Sequence, residues 1–232
     1  MSQLRIAEKF VSVQGEGEWM GVPSAFIRVS GCNLRCRWCD TPYASWHPEG
    51  EFESSQELAD WFAGKGVRHA VLTGGEPMLF DPIEDLAALL KGQGAQITIE
   101  TAGTVARQVA CDLMSISPKL ANSDPDEDSG WRERHAALRS KTEALAQLLT
   151  DYRCQLKFVV DPEGPGDDLA EIDALLAQLP SVAPEQIFLM PEGVQADVLH
   201  RRAKMLLPVI MERGWRLGPR LQIDLFGDTR GT

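Results

Sequence analysis

The chain lacks any apolar run approaching the roughly 20 residues that a membrane-spanning helix needs. Its first residues, MSQLRIAEKFVSVQGEGEW, also lack the apolar core of a secretory signal. Positive charge is scarce, with 23 Lys+Arg against 34 Asp+Glu and a formal net charge of −11. A general nucleic-acid binder needs a cationic surface to displace counterions from phosphates, so the balance argues against that class. An even set of cysteines is missing too. There are five, three of them within eight residues, which is a poor disulfide framework and a good ligand cluster. These absences predict a protein off the membrane, off nucleic acid and in the cytoplasm. What is present is ordinary: 232 residues, 44% hydrophobic and 25% charged, can bury a sizeable core. One domain over 1–232 is expected.

Short β-rich runs alternate with longer helical patterns. Strands are predicted at 24–30, 70–73, 96–100, 113–117, 155–160, 187–190 and 221–226, and most are too continuously apolar for half-exposed hairpins. Helices are predicted at 56–63, 83–91, 132–149, 168–179 and 196–213, with Ser54–Ser55 and Asp81-Pro82 as N-terminal caps. Pro208 is expected to kink the last helix. The β-α succession recurs about six times, which predicts an α/β fold closed as a full or partial (βα)6-type barrel. Residues 121–130 (ANSDPDEDSG) are acidic and turn-rich, and read as a mobile loop.

The predicted strands share one kind of ending. Gly31-Cys32, Gly74-Gly75-Glu76-Pro77, Thr101-Ala102-Gly103-Thr104, Pro118-Lys119 and Pro191-Glu192-Gly193 each come directly after a strand. Loops of this kind are rich in Gly and Pro anyway, but five in register point to the end of the sheet where α/β folds place their sites.

Cys32, Cys36 and Cys39 form C-x3-C-x2-C. A structural zinc site normally takes four protein ligands, and the chain has no second Cys/His pair downstream. Cys111 and Cys154 each precede a strand, so they belong at the opposite end of the sheet as small buried hydrophobes. Three thiolates can instead hold three irons of a [4Fe–4S] cluster and leave the fourth open. Zinc with a water remains the alternative on the cysteines alone.

This cysteine spacing after the first predicted strand, with Trp38 before the last cysteine, resembles the radical S-adenosylmethionine superfamily. Gly74-Gly75-Glu76-Pro77 resembles that superfamily's glycine-rich motif for the methionine end of the cofactor. Within it, the chain is similar to the 7-carboxy-7-deazaguanine synthases. The similarity is carried by Val13 to Gly17, Gly21 to Pro23, Phe26 to Val29, Gly31 to Thr41, Ile99 to Thr104, Ser117 to Lys119 and Gly214 to Leu217. It implies a lyase of the 7-deazapurine (queuosine precursor) pathway that turns 6-carboxy-5,6,7,8-tetrahydropterin into 7-carboxy-7-deazaguanine and ammonia. The hydrogen-abstracting species it implies is a 5′-deoxyadenosyl radical released from S-adenosylmethionine by one electron.

The resemblance also implies roles for single residues. Cys32, Cys36 and Cys39 would ligate the cluster, and Thr41 a Mg2+ ion. Val13, Gln14, Gly15, Glu16 and Thr73 would bind the pterin, and an amide beside a carboxylate suits its edge of donors and acceptors. Arg28, in an otherwise apolar strand, would pair with the substrate carboxylate; Arg28 and Glu16 are the candidate catalytic residues. Trp38, Gly75, Glu100, Ser117, Pro118, Lys119, Met190, Pro191 and Glu192 would bind the cofactor. A flavodoxin-like electron donor and a homodimer are implied as well. Gln222 stands where one common type of these enzymes carries histidine.

Two other functions fit parts of the pattern. A glycyl-radical-enzyme activase shares the size and cysteine spacing, but has no use for Gln14-Gly15-Glu16-Gly17. A zinc-stabilised binding module fits the cysteines alone, and its colourless protein would separate it from a brown iron–sulfur protein.

Overall fold

The computed structural model describes residues 3–232. The described residues build one nine-stranded sheet of order β3-β1-β2-β4-β5-β6-β7-β8-β9. β1 (Gln3–Val13) lies antiparallel between β2 (Pro23–Val29) and β3 (Glu51–Ser54). From β2 onward every pairing is parallel, through β4 (His69–Gly74), β5 (Gln96–Thr101), β6 (Leu113–Ile116), β7 (Cys154–Val160), β8 (Ile187–Pro191) and the short β9 (Arg216–Leu217). The edge strands β3 and β9 do not pair with each other, so the barrel is partial.

Helices α1 (Ser55–Ala63), α2 (Pro82–Gly92), α3 (Arg132–Arg139), α4 (Glu143–Asp151), α5 (Asp168–Leu176) and α6 (Ala196–Arg213) fill the crossovers. Leu58 and Phe62 of α1, Leu86 and Leu90 of α2, and Leu145 and Leu148 of α4 join Ile27, Leu72, Ile97 and Phe158 from the strands in a single core. Ser54 caps α1 as expected: its Oγ accepts from Glu57 N at 3.3 Å, and the Glu57 carboxylate accepts from Ser54 N at 2.8 Å. Asp81 makes no such cap and pairs with Arg107 at 2.5 Å.

Four further expectations need correction. Residues 221–226 form a helix, α7 (Leu221–Phe226), although Leu221, Ile223 and Leu225 alternate like a strand. Leu221 N–H donates to Gly15 O at 3.0 Å, which ties this segment across the mouth of the barrel instead of along the two-residue edge strand. The sheet also carries three strands beyond those expected from apolar runs, the antiparallel β1 and β3 and the short parallel β9. The helix expected over 132–149 is broken at Ser140–Thr142, freeing α3 to pack apart from α4. Residues 121–130 are not a loose loop. Asp124 is clasped by Arg139 at 2.6 and 3.1 Å, and Asn122 Nδ2 donates to Val159 O and Asp168 Oδ2.

Candidate active site

A cavity of about 240 Å³ opens at the C-terminal end of the parallel strands. Its wall includes Val13, Gln14, Gly15, Glu16, Arg28, Cys32, Cys36, Trp38, Cys39, Thr41, Thr73, Gly75, Glu100, Ser117, Lys119, Met190, Pro191 and Glu192. Every site residue expected from the sequence is therefore brought together except Pro118, which is not part of the wall.

Backbone proximity fixes one side. The loops after β2 and β4 are stitched by Gly75 N→Val29 O (3.1 Å) and Glu76 N→Gly31 O (2.9 Å), and Gly31 N→Ala44 O (2.7 Å) folds the first of them back on itself. A Cβ on Gly75 would stand 2.1 Å from Gly31 O, so only glycine lets these loops meet. Glu76 is fully buried and spans onward to β5, accepting from Thr101 Oγ1 (2.7 Å) and Ala102 N (2.8 Å).

The three cysteines share this corner. Cys32 Sγ accepts from Leu34 N at 3.4 Å, and Cys39 Sγ lies 3.1 Å from Ser45 Oγ. Burial, with Glu76 nearby, pushes the Cys32 thiol up to about 12; burial does the same to Cys36, against the pull of Lys119. Ionising such thiols needs a strongly cationic centre beside them. Cys111 and Cys154 lie at the far end, before β6 and at the start of β7, so no fourth thiol reaches the cavity. Three thiols bordering a cavity with no fourth fit a cluster with one open iron. Beside them, Lys119 Nζ donates to Ser117 O (3.0 Å) and Oγ (2.6 Å) and lies 5.5 Å from the Trp38 ring centre.

Another part of the wall is ionic. Glu16 accepts from Lys157 Nζ at 2.8 Å and Gln222 Nε2 at 2.9 Å, and Arg220 Nε lies 3.3 Å away. Burial alone would raise its pKa, but Lys157 and Arg220 outweigh burial and hold the carboxyl well below the usual range. The same pairing, with Glu100 3.7 Å away, keeps Lys157 charged and raised to about 12 despite burial. Gln14 Nε2 and Thr73 Oγ1 donate to Glu100 at 3.1 and 2.8 Å. Gln222 Oε1, buried in this wall, has no hydrogen-bond partner among the described residues.

Arg28 faces the cavity, but its anionic partner is already supplied. Its Nε donates to Glu8 Oε1 at 2.6 Å, and Glu8 also accepts from Tyr43 Oη at 2.8 Å. Glu192 is likewise committed, to Arg202 of α6. Asp40 pairs with Arg220, and Thr41 Oγ1 lies 3.7 Å from Cys39 Sγ. Among the described residues no group of three or more His, Cys, Asp or Glu is arranged to hold a single metal ion.

Sequence reasoning missed Lys157 and Arg220. Lys157 carries the signal that singled out Arg28, a lone cation in an apolar strand (QLKFVV). Arg220, in a loop beside prolyl and glycyl residues, carries none.

Comparisons with known proteins agree with this geometry. Residues 26–125 match the Radical SAM superfamily. The chain is 46% identical over 234 residues to a 7-carboxy-7-deazaguanine synthase of Rhodopirellula baltica, spanning 100% of this chain and 90% of that one. It is 41% identical to the Halobacterium salinarum protein of that name, spanning 99% and 93%. The crystal structure of QueE from Escherichia coli superposes with a TM-score of 0.69 at 29% identity, covering 93% of each chain. The fold and the three-cysteine corner thus define a radical S-adenosylmethionine enzyme, a class that works with a [4Fe–4S] cluster and S-adenosylmethionine. Within that class the chain belongs to the 7-carboxy-7-deazaguanine synthase family.

Proposed function

We propose that the cavity holds 6-carboxy-5,6,7,8-tetrahydropterin against the cofactor corner and that the chain converts it to 7-carboxy-7-deazaguanine with loss of ammonia. The observation that carries this reading is one cavity bordered by three thiols, an ionised Glu16 and a half-engaged Arg28. When bound, the cluster and S-adenosylmethionine supply a hydrogen-abstracting carbon radical.

The remaining work belongs to the protein's own side chains. A carboxylate held ionised by Lys157 accepts hydrogen bonds and cannot donate them, so Glu16 suits the amino and ring N–H donors of a pterin edge. Gln222 Oε1 offers a further unused acceptor in the same wall. Arg28 uses Nε for Glu8 and, among the described residues, makes no hydrogen bond through its terminal nitrogens, which remain for the substrate carboxylate. Val13, Gln14, Gly15 and Thr73 complete the pterin side; Trp38, Gly75, Glu100, Ser117, Pro118, Lys119, Met190, Pro191 and Glu192 are assigned to the cofactor side. Holding the reacting carbon in one orientation, away from water, is the main catalytic contribution of such a site.

Arg28 provides the test. A charge-assisted pair contributes roughly 1.5–3 kcal/mol, and about 1.4 kcal/mol is a decade in rate. Arg28→Ala should lower kcat/KM at least about tenfold while iron content is unchanged, with Arg28→Lys recovering part. Undiminished turnover by Arg28→Ala would make the residue structural.

Mg2+ at Thr41 is part of the same proposal. Thr41 brings a hydroxyl to the wall, and substrate oxygens and water would supply the other ligands, as a hard ion with few protein ligands allows. Turnover should rise with added Mg2+, less so in Thr41→Ala; a flat titration of the unaltered protein would refute it. A flavodoxin-like donor, a homodimer, a cytoplasmic location and a single domain over 1–232 complete the proposal. The exposed Met211 and Phe226 of α6 and α7 support a second copy, and five free thiols support a reducing compartment.

A further inference from the structure

The acidic segment after β6 reaches back to the loop that carries the three cysteines. Arg37 N–H donates to Ser123 O, and Trp38 Nε1 donates to Asn122 O, each at 3.0 Å. Between Cys32 and Cys36, Arg35 N–H donates to His135 Nδ1 at 3.0 Å. His135, on α3, has 0% of its surface exposed, and its Nε2 lies 3.0 Å from Ser123 Oγ.

The hydrogen bonds run in one direction. A backbone N–H can only donate, so Nδ1 must carry the lone pair. Ser123 Oγ donates its own hydrogen to Leu120 O at 2.6 Å, so Nε2 carries the imidazole hydrogen and donates to Ser123. Burial pushes the pKa of His135 down to about 4, which agrees with a neutral ring. Asp124 Oδ1 approaches Nε2 only to 3.7 Å and is held by Arg139. The Arg35 side chain closes the arrangement, stacked 4.1 Å from the Trp131 ring while Nη1 donates to Cys32 O and Leu34 O.

We infer that His135 is a positioning residue for the iron–sulfur cluster. Its neutral Nδ1 fixes the backbone of Arg35, and through Ser123 it fixes the path of the loop from Cys32 to Cys39. This rests on the reading that those cysteines hold the cluster. An apolar side chain of similar size would fill the space but leave the Arg35 N–H buried without a partner, and the loop free to shift.

Substitution separates the polar role from the filling role. Asparagine places Oδ1 near the former Nδ1, whereas glutamine reaches toward Ser123 and abandons Arg35. Unaltered protein, His135→Asn, His135→Gln and His135→Leu are reconstituted anaerobically and challenged with an iron chelator. Loss of iron and of visible absorption is followed with time, and the electron paramagnetic resonance spectrum of the reduced cluster is recorded. Glutamine and leucine should lose iron roughly fivefold or more faster than unaltered protein and show a changed spectrum, with asparagine close to unaltered. Equal loss by asparagine and glutamine, or retention by leucine, would overturn the inference. If leucine prevents folding, judged by circular dichroism, the asparagine–glutamine pair decides alone. Failure of the unaltered protein to bind iron would instead remove the cluster reading, and this inference with it.

Discussion

At the N-terminal end of the parallel strands, His69 is 1% exposed and sits between Ser24 Oγ at 2.7 Å and Thr98 Oγ1 at 2.8 Å. Cys154 donates its thiol hydrogen to Leu148 O, and Asp112 accepts from Ile97 N at 2.8 Å. Those polar groups are matched within the protein, and neither Cys111 nor Cys154 lines the cavity at the other end. At the C-terminal end, Lys157 is buried and Glu16, Glu100 and Arg220 are half-buried, all of them paired, yet they surround a space, and Gln222 and Arg28 keep capacity unused. Buried polarity is common to both ends. The difference lies in what the unused capacity faces: Trp19 Nε1, in the ring stacked on His69, also lacks a partner among the described residues, but only at the C-terminal end do such groups border the cavity where a ligand can meet them.

The largest effect should come from exchanging cysteines between the two ends. Cys36→Ala should abolish iron binding and turnover, whereas Cys111→Ala and Cys154→Ala should keep full iron per chain. Loss of iron from the far-end variants, with retention in Cys36→Ala, would reverse the comparison.

Lys157→Met tests the ionic wall. Removing one partner of a buried pair costs about 3 kcal/mol or more, so the melting temperature should fall measurably and pterin turnover should collapse. Neutralising Glu16 as well, in Lys157→Met with Glu16→Gln, should restore much of the stability without restoring turnover. A single variant as stable as the unaltered chain would show that water, and not Lys157, balances Glu16.

The smallest effect is a pH dependence. His135 has a folded pKa of about 4 against an ordinary 6.5. Between these values the unfolded chain binds the extra proton, so stability rises with pH. The contribution is fully present above about 6.5 and is lost as pH falls towards about 4. Urea unfolding of the apoprotein at pH 5 and pH 7 should show this difference, and His135→Asn should reduce it. An equal slope in both proteins would place the imidazole proton elsewhere.

The cofactor side was legible because its residues are neighbours in sequence: three cysteines in one loop, and Gly74 to Pro77 directly after β4. The substrate side was legible only in part: Gln14, Glu16, Arg28 and Thr73 were expected there, but not the pairing that holds Glu16, which meets Lys157 across 141 positions and Gln222 across 206. Local pattern also failed where tertiary contacts override it. The alternation in 221–226 reads as a strand, but the segment is bound to Gly15 and Glu16 as a helix. The acidity of 121–130 reads as solvent-facing mobility, yet Asp124 is neutralised by Arg139 and the backbone carbonyls of Asn122 and Ser123 hold the cysteine loop. β1 escaped notice because Glu8 and Lys9 interrupt its apolar positions, and Glu8 is there to meet Arg28.

The central claim is that this cavity converts a carboxylated tetrahydropterin with radical chemistry. Reconstituted protein should be incubated without oxygen with S-adenosylmethionine, a one-electron reductant and 6-carboxy-5,6,7,8-tetrahydropterin, and the products weighed by mass spectrometry. The account predicts a product lighter than the substrate by one ammonia and matching 7-carboxy-7-deazaguanine, absent with Cys36→Ala. Cleavage of S-adenosylmethionine with the pterin recovered unchanged would contradict it.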